Sequence, residues 1–141
     1  MITVGQIKNP DLRVKLYFSL KEMSATLPII VSRLAYVSRY ACLEEGTIVM
    51  HGAVLNAGSS IGGNCIINSQ ALIEHDVVVE AHCHISTGAK VNGGVFIGEK
   101  SFIGSGSVIH EGIRIGEKCV VAAGSVVCED LPDKTLFRKN T

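Results

Sequence analysis

Aliphatic residues recur at every sixth position through most of this chain. The series has sixteen consecutive members, each of them Ile, Leu or Val: Val37, Leu43, Val49, Leu55, Ile61, Ile67, Ile73, Val79, Ile85, Val91, Ile97, Ile103, Ile109, Ile115, Val121 and Val127. A second set of mostly small residues stands two positions earlier: Ala53, Ser59, Cys65, Ala71, Cys83, Ala89, Ser101, Ser107, Cys119 and Ser125. Six is a multiple of the two-residue strand period and not of the helix period of about 3.6. The pattern predicts short strands whose inward residues stay in phase.

A triangular coil accounts for this spacing, with each six-residue unit forming one flat side. Three sides make a turn, and successive turns stack by parallel pairing at about 4.8 Å. Small residues suit the narrow interior, which explains an aromatic content of only 5%. The sequence therefore predicts an all-β parallel β-helix over residues 33–130, with a little over five turns.

Residues 1–32 have a different pattern. Ile2–Val4 predicts a short strand, Asn9 predicts a helix N-cap with Pro10 at the first helical position, and Leu27–Val31 predicts a second strand. The helix carries an apolar stripe that predicts a core-facing side: Leu12, Leu16, Tyr17, Leu20 and Met23. We expect this β-α-β segment to dock on the first turn and cover its open edge.

The repeat is expected to end after Val127, which leaves residues 131–141 as a C-terminal tail. This tail is basic between positions 134 and 139, with Lys134, Arg138 and Lys139. Two interpretations stay open: a solvated terminus, or a contact to the phosphates of a nucleotide cofactor.

Composition narrows the class of protein. Thirteen Lys and Arg balance thirteen Asp and Glu, so no basic field is indicated that would attract nucleic acid or an anionic membrane. No apolar run approaches the length of a membrane span and no secretory pattern is present, so we expect a cytoplasmic protein. The five cysteines include no CxxC pair, which argues against a disulfide framework and a zinc knuckle.

Three of the cysteines, Cys65, Cys83 and Cys119, share the inward phase of the repeat. We interpret them as small core residues and not as nucleophiles. The sequence His82-Cys83-His84 suggests a metal site, but neighbouring side chains on a strand point to opposite faces and cannot converge on one ion. We therefore expect no bound metal.

His75 lies between Glu74 and Asp76 on a solvent-facing stretch of the coil. A carboxylate raises the basicity of an imidazole and selects its tautomer, as a general base near neutral pH requires. Adjacent side chains on a flat strand diverge, so contact between them requires a corner of the triangle near Asp76. An incidental exposed histidine beside acids remains the alternative.

Thr87, Ser105 and Ala123 are spaced by one turn and form a column of small residues, each followed by a glycine. A thin ligand arm could lie along this strip, although a general preference of corners for small residues would produce the same pattern. His75 and His84 are half a turn apart and so occupy different sides of one chain. A site that used both would lie between chains of a closed oligomer.

The repeat resembles the hexapeptide-repeat family, whose members form left-handed parallel β-helices. Three stretches are more specific, namely residues 66–76 (IINSQALIEHD), 82–90 (HCHISTGAK) and 103–108 (IGSGSV). They resemble bacterial sugar acetyltransferases that include the nucleotide-amino-sugar N-acetyltransferases of bacillosamine-type pathways and the sialic acid O-acetyltransferases. This resemblance implies the left-handed coil, a homotrimer, acetyl-CoA as acyl donor, and a metal-free site between subunits.

The resemblance also implies roles for individual residues. His75 matches the catalytic base, and Asp76 matches the acid that supports it. The implied ligand contacts are His84, Ser105 and Ala123 for acetyl-CoA, and Asn68 and Gly5 for the acceptor.

The chain departs from this family at its N-terminus, where it has no Gly-rich strand-loop-helix to help hold a sugar nucleotide. Either the chain is truncated or its acceptor is bound differently. The expected function is direct acetyl transfer from acetyl-CoA to the amine of a nucleotide-linked sugar in surface glycan biosynthesis, with His75 as general base. The alternatives are O-acetylation of sialic acid and a non-catalytic trimeric scaffold.

Overall fold

A computed structural model describes residues 1–7 and 9–138 of the chain. Within this part, helix α1 spans Asp11–Glu22 and is followed by two-residue strands. The strands are β1 Ile30–Val31, β2 Tyr36–Val37, β3 Cys42–Leu43, β4 Ile48–Val49, β5 Val54–Leu55, β6 Ser60–Ile61, β7 Ile66–Ile67, β8 Leu72–Ile73, β9 Val78–Val79, β10 His84–Ile85, β11 Lys90–Val91, β12 Phe96–Ile97, β13 Phe102–Ile103, β14 Val108–Ile109, β15 Arg114–Ile115, β16 Val120–Val121, β17 Val126–Val127 and β18 Leu136–Phe137. Lys139, which belongs to the predicted basic tail, lies outside the described residues.

The strands form three parallel sheets, which are the three faces of a prism. Face I has the order β1-β4-β7-β10-β13-β16-β18, face II contains β2-β5-β8-β11-β14-β17, and face III contains β3-β6-β9-β12-β15. Strands one turn apart pair in register, as His84 does with Phe102. The predicted fold is confirmed: the chain is a left-handed parallel β-helix, of about six turns.

The coil begins earlier than residue 33. Ile30–Val31, predicted as the second strand of the N-terminal segment, pairs in parallel with Ile48–Val49 and is the first rung of face I. Val31 stands six positions before Val37, so it is the first member of the aliphatic series and extends the series by one unit.

The coil also continues beyond Val127, so the expectation that the repeat ends there is wrong. Leu131 bridges to Ile115 on face III, and Phe137 pairs with Val121 on face I. These partners are sixteen residues apart instead of eighteen, and a count at fixed spacing therefore misses the last rungs.

The interior of the prism contains the two residue sets that the repeat predicted. The aliphatic series is fully or almost fully buried from Val49 to Val127, and the small set is buried from Ala53 to Ser125. Cys65, Cys83 and Cys119 are buried free thiols, as predicted. Burial is the main cause that raises the thiol pKa of Cys83 and of Cys119, so neither is suited to act as a nucleophile.

The corners of the prism are formed by residues with left-handed backbone conformation, one in every six. From Gly46 to Gly124 these positions have φ between +54° and +76°. Many are glycine, since a side chain is disfavoured in this region, and others are residues such as Asn64 and Asp76. The turn chemistry thus places Asp76 at the corner between faces II and III.

The N-terminal segment differs from its prediction. Residues 2–4 form no strand and Ile30–Val31 belongs to the coil, so the expected separate β-α-β unit is wrong. Helix α1 starts at Asp11 with Pro10 in the cap position, one residue later than predicted, and the Asn9 side chain accepts a hydrogen bond from the Asp11 N–H at 2.8 Å.

The predicted apolar stripe of the helix is buried in part. Leu16, Tyr17 and Leu20 are half-buried, whereas Leu12 and Met23 at its two ends are exposed. The most buried side chain of the helix is that of Arg13, which is 1% exposed. The Arg13 guanidinium donates to the carbonyls of Ile2 and Val4 at 2.9 and 3.0 Å. Because these residues form no strand, their carbonyls need donors, and the arginine supplies them. Within the described residues, no helix has the length and apolar character needed to cross a membrane.

Candidate active site

His75 and Asp76 form a hydrogen-bonded pair at the corner between faces II and III. The left-handed conformation of Asp76 (φ +59°) turns its carboxylate back, and Oδ2 lies 2.9 Å from His75 Nδ1. The predicted contact at a corner is confirmed. A carboxylate accepts, so Nδ1 carries the proton and Nε2 has the lone pair of a base.

The second acid beside this histidine does not join the pair. The Glu74 carboxylate accepts a hydrogen bond from the Asn56 side chain at 2.8 Å. Both members of the His75–Asp76 pair are well exposed, with 67% and 73% of their side chains accessible. The pair is therefore open to a ligand or to another chain.

Glycines surround the pair, a feature that the sequence reasoning missed. A Cβ atom at Gly93, one turn above His75, would lie 2.6 Å from both Nε2 and Cε1 of the imidazole. A Cβ atom at Gly58, one turn below Asp76, would collide with Oδ1 of that carboxylate. A search for glycines eighteen residues from each member would have found both. Gly93 is thus part of the surface against which the imidazole rests.

His84 has the opposite environment. It points outward from face I, but residues 1–7 cover it and leave 6% of it exposed. Its Nδ1 donates to the Gln6 carbonyl, and its Nε2 accepts from the Asn68 side-chain amide at 3.1 Å. The Asn68 orientation is fixed because its Oδ1 accepts the Ser69 N–H at 2.7 Å. Burial is the main cause that lowers the pKa of His84, which favours the neutral ring.

A cavity of about 580 Å³ extends over face I and the corner between faces I and II. We call it the upper cavity. It is lined by Asn68, His84, Ser105 and Ala123, so the structure brings four of the predicted ligand residues together. Arg138 lies at its other end.

A second cavity, the lower cavity, has a volume of about 470 Å³ and shares Asn68 and His84 with the upper one. Its wall is mainly apolar, with Ile48 and Ile66 of the coil, and Gly5 lines it from the N-terminal segment. The fifth predicted ligand residue therefore lies beside the other four. His75 and Asp76 line neither cavity and lie at the far edge of face II.

His82 is also buried by the N-terminal segment. Its Nδ1 lies 2.9 Å from the Asn64 amide nitrogen, and its ring meets Tyr17 edge-on at 5.2 Å. Burial lowers the pKa of His82. Among the described residues, no cluster of three His, Cys, Asp or Glu side chains is arranged to hold a metal ion.

Comparisons with known proteins find chains that are similar in sequence and in fold. Residues 94–129 match the family described as hexapeptide repeat of succinyl-transferase. The acetyltransferase domain of PglB from Neisseria gonorrhoeae, solved with acetyl coenzyme A, is 33% identical and covers 91% of this chain with a TM-score of 0.88. The resemblance to sugar acetyltransferases is confirmed.

Two further solved structures are similar to this chain. A mutant of perosamine N-acetyltransferase from Caulobacter crescentus, in complex with CoA and GDP-perosamine, is 38% identical over 90% of this chain with a TM-score of 0.87. WeeI from Acinetobacter baumannii is 26% identical over 90% of this chain with a TM-score of 0.85. The chain spans 62%, 60% and 62% of the lengths of these three proteins.

Proposed function

We propose that this chain catalyses acetyl transfer from acetyl-CoA to the amine of a nucleotide-linked sugar, in the cytoplasm and for surface glycan synthesis. The main support is that all five predicted ligand residues line two adjoining cavities of a chain similar to proteins solved with acetyl-CoA or CoA. In this proposal the upper cavity holds the acyl donor and the lower cavity holds the acceptor.

The donor lies along the corner formed by Ser105 and Ala123. A Cβ atom at Gly106 or Gly124, the next residues, would meet no atom within 4 Å, so the strip is open to a thin ligand. The thioester lies beside His84, at the junction of the two cavities. Both ring nitrogens of His84 are already hydrogen-bonded, so this residue shapes the junction and does not exchange protons.

The acceptor amine enters from the lower cavity, beside the Asn68 amide and the backbone at Gly5. His75 Nε2 removes a proton from the amine as the amine nitrogen attacks the thioester carbonyl carbon. The carboxylate of Asp76 stabilises the imidazolium that forms. Collapse of the tetrahedral intermediate yields the amide, and the imidazolium returns the proton to the departing CoA thiolate.

Both halves of this site are present in one chain but lie apart, which is the reason to propose a closed homotrimer. In the trimer, the His75–Asp76 pair of one copy faces the cavities of the next copy. Face II lies between the two halves and presents mainly apolar side chains, with Lys90 among them; Tyr36 is 57% and Val126 is 49% exposed. Partly exposed apolar side chains in one row are typical of a surface that another copy covers.

CoA release tests this function directly, with acetyl-CoA and a panel of UDP- and GDP-linked amino sugars and free sialic acids. We expect turnover with an amino sugar and a fall in kcat of about 10²–10⁴-fold for His75→Gln, since base catalysis supplies that range. Calorimetric titration should find acetyl-CoA binding unchanged in this variant. His51→Gln, at an exposed histidine of the first turns, is the matched control.

Three results would contradict the proposal. If the His75→Gln variant is active, His75 is not the base. If only sialic acid is acetylated, the acceptor is sialic acid and not a nucleotide-linked sugar. If millimolar acetyl-CoA gives no heat of binding, a scaffold role is favoured.

A further inference from the structure

The upper cavity is elongated along the axis of the coil. Face I supplies one lining residue from each successive rung: His84 on β10, Phe102 on β13, Val120 on β16 and Leu136 on β18, with Arg138 just beyond. Three rung spacings separate the first of these strands from the last, which corresponds to about 14 Å. The cavity therefore has a defined lower end at His84 and a defined upper end at Arg138.

The two ends differ in charge. Among the described residues that line the cavity, Arg138 carries the permanent charge, and none is a carboxylate. The described residues also provide no ion pair to its guanidinium. Burial lowers the pKa of His84 at the lower end, which favours the uncharged ring. An elongated ligand with one neutral end and one anionic end matches this distribution.

Acyl-CoA is such a ligand. About twelve chain bonds join the sulfur of CoA to the first phosphate ester oxygen. Four amino-acid residues contain the same number of chain bonds, and their extended length is about 14 Å. With the thioester beside His84, the phosphates would reach the level of Arg138. We propose that Arg138 binds a phosphate group of the CoA donor, and that the C-terminal strand β18 is therefore part of the donor site. This inference rests on the proposed function.

An arginine suits this task, because the planar guanidinium can donate two parallel hydrogen bonds to one phosphate. Other cations are near the same level of the coil. Lys118 and Lys134 occupy left-handed corner positions between faces III and I, and neither lines the cavity. Lys118→Gln is consequently a matched control that removes the same charge at a different place.

Calorimetric titration of the wild type, Arg138→Gln and Lys118→Gln tests the inference, with acetyl-CoA, acetyl-3′-dephospho-CoA and acetyl-pantetheine as ligands. We expect Arg138→Gln to weaken acetyl-CoA binding about tenfold or more, as loss of a charge-assisted hydrogen bond does. The loss should shrink at high salt. Acetyl-pantetheine should bind equally to all three proteins, since it has no phosphate.

The dephospho ligand distinguishes the phosphates. Equal affinity of this ligand for wild type and Arg138→Gln would assign the contact to the ribose 3′-phosphate, whereas a persistent loss would assign it to the diphosphate; both support the inference. An unchanged affinity of Arg138→Gln for acetyl-CoA would overturn it, as would an equal loss with acetyl-pantetheine. If the wild-type protein binds no acetyl-CoA, the proposed function itself is wrong.

Discussion

His75 and His84 are nine residues apart and have opposite environments. His75 is exposed at a corner, with Nδ1 bonded to Asp76 and Nε2 available. His84 is buried on a face, with both ring nitrogens bonded to protein groups. The hydrogen bonds decide what each histidine can do, because an imidazole needs one available nitrogen to accept a proton. His75 is therefore the candidate base, whereas His84 lines the cavity in a fixed orientation.

The two histidines also differ in position. They are half a turn apart and lie on different sides of the prism, with face II between them. The parts of the proposed site therefore meet only when a second copy supplies the missing half. Three experiments test this comparison.

The largest effect is expected when two inactive variants are combined. His75→Gln removes the base, and Ser105→Trp fills the upper cavity, so each variant alone should be inactive. Subunits mixed at equal ratio should recover about one quarter of wild-type activity, since each site takes its base and its cavity from different chains. The measurement is CoA release after co-refolding. Mixed trimers without activity would place the complete site within one chain.

Gly93→Ala tests how the exposed histidine is positioned. The new methyl group would collide with the His75 ring, and the φ of Gly93 lies outside the left-handed region, so the backbone should not be strained. We expect kcat to fall about tenfold through misplacement of the base, at an unchanged melting temperature.

Gly94→Ala is the matched control for this variant. Gly94 has φ +68° and open space around it, so alanine should cost about 1–2 kcal/mol of stability with a smaller effect on kcat. Equal kinetic effects of the two substitutions would argue against a positioning role for Gly93.

The smallest effect concerns the buried histidine. Burial lowers the pKa of His84 below its ordinary value of 6.5, so the folded state binds fewer protons than the unfolded state just below that pH. The free energy of unfolding should therefore fall as the pH drops below 6.5, by at most about 1.4 kcal/mol per pH unit for this residue. His84→Gln should flatten the dependence in urea titrations at several pH values. The same slope in the variant would assign it to other groups.

The sequence was sufficient for the coil, the buried cysteines and the corner at Asp76, because each depends on a local six-residue rule. It was insufficient where the rule changes or where distant segments meet. The two-residue shortening before Leu131 broke the register, and the stripe that begins at Leu12 did not include Arg13, the buried residue of the helix. The cover over His84 comes from Gln6, seventy-eight residues away.

Periodicity by itself determined that this chain forms a three-sided coil with an aliphatic interior, because stacking of identical turns repeats the same contacts at the same spacing. The tertiary structure decided which outward histidine stays open and which is covered, and which way the N-terminal helix faces. Those outcomes depend on single contacts between remote segments, such as Arg13 with the Ile2 carbonyl, and a repeat pattern contains no information about them.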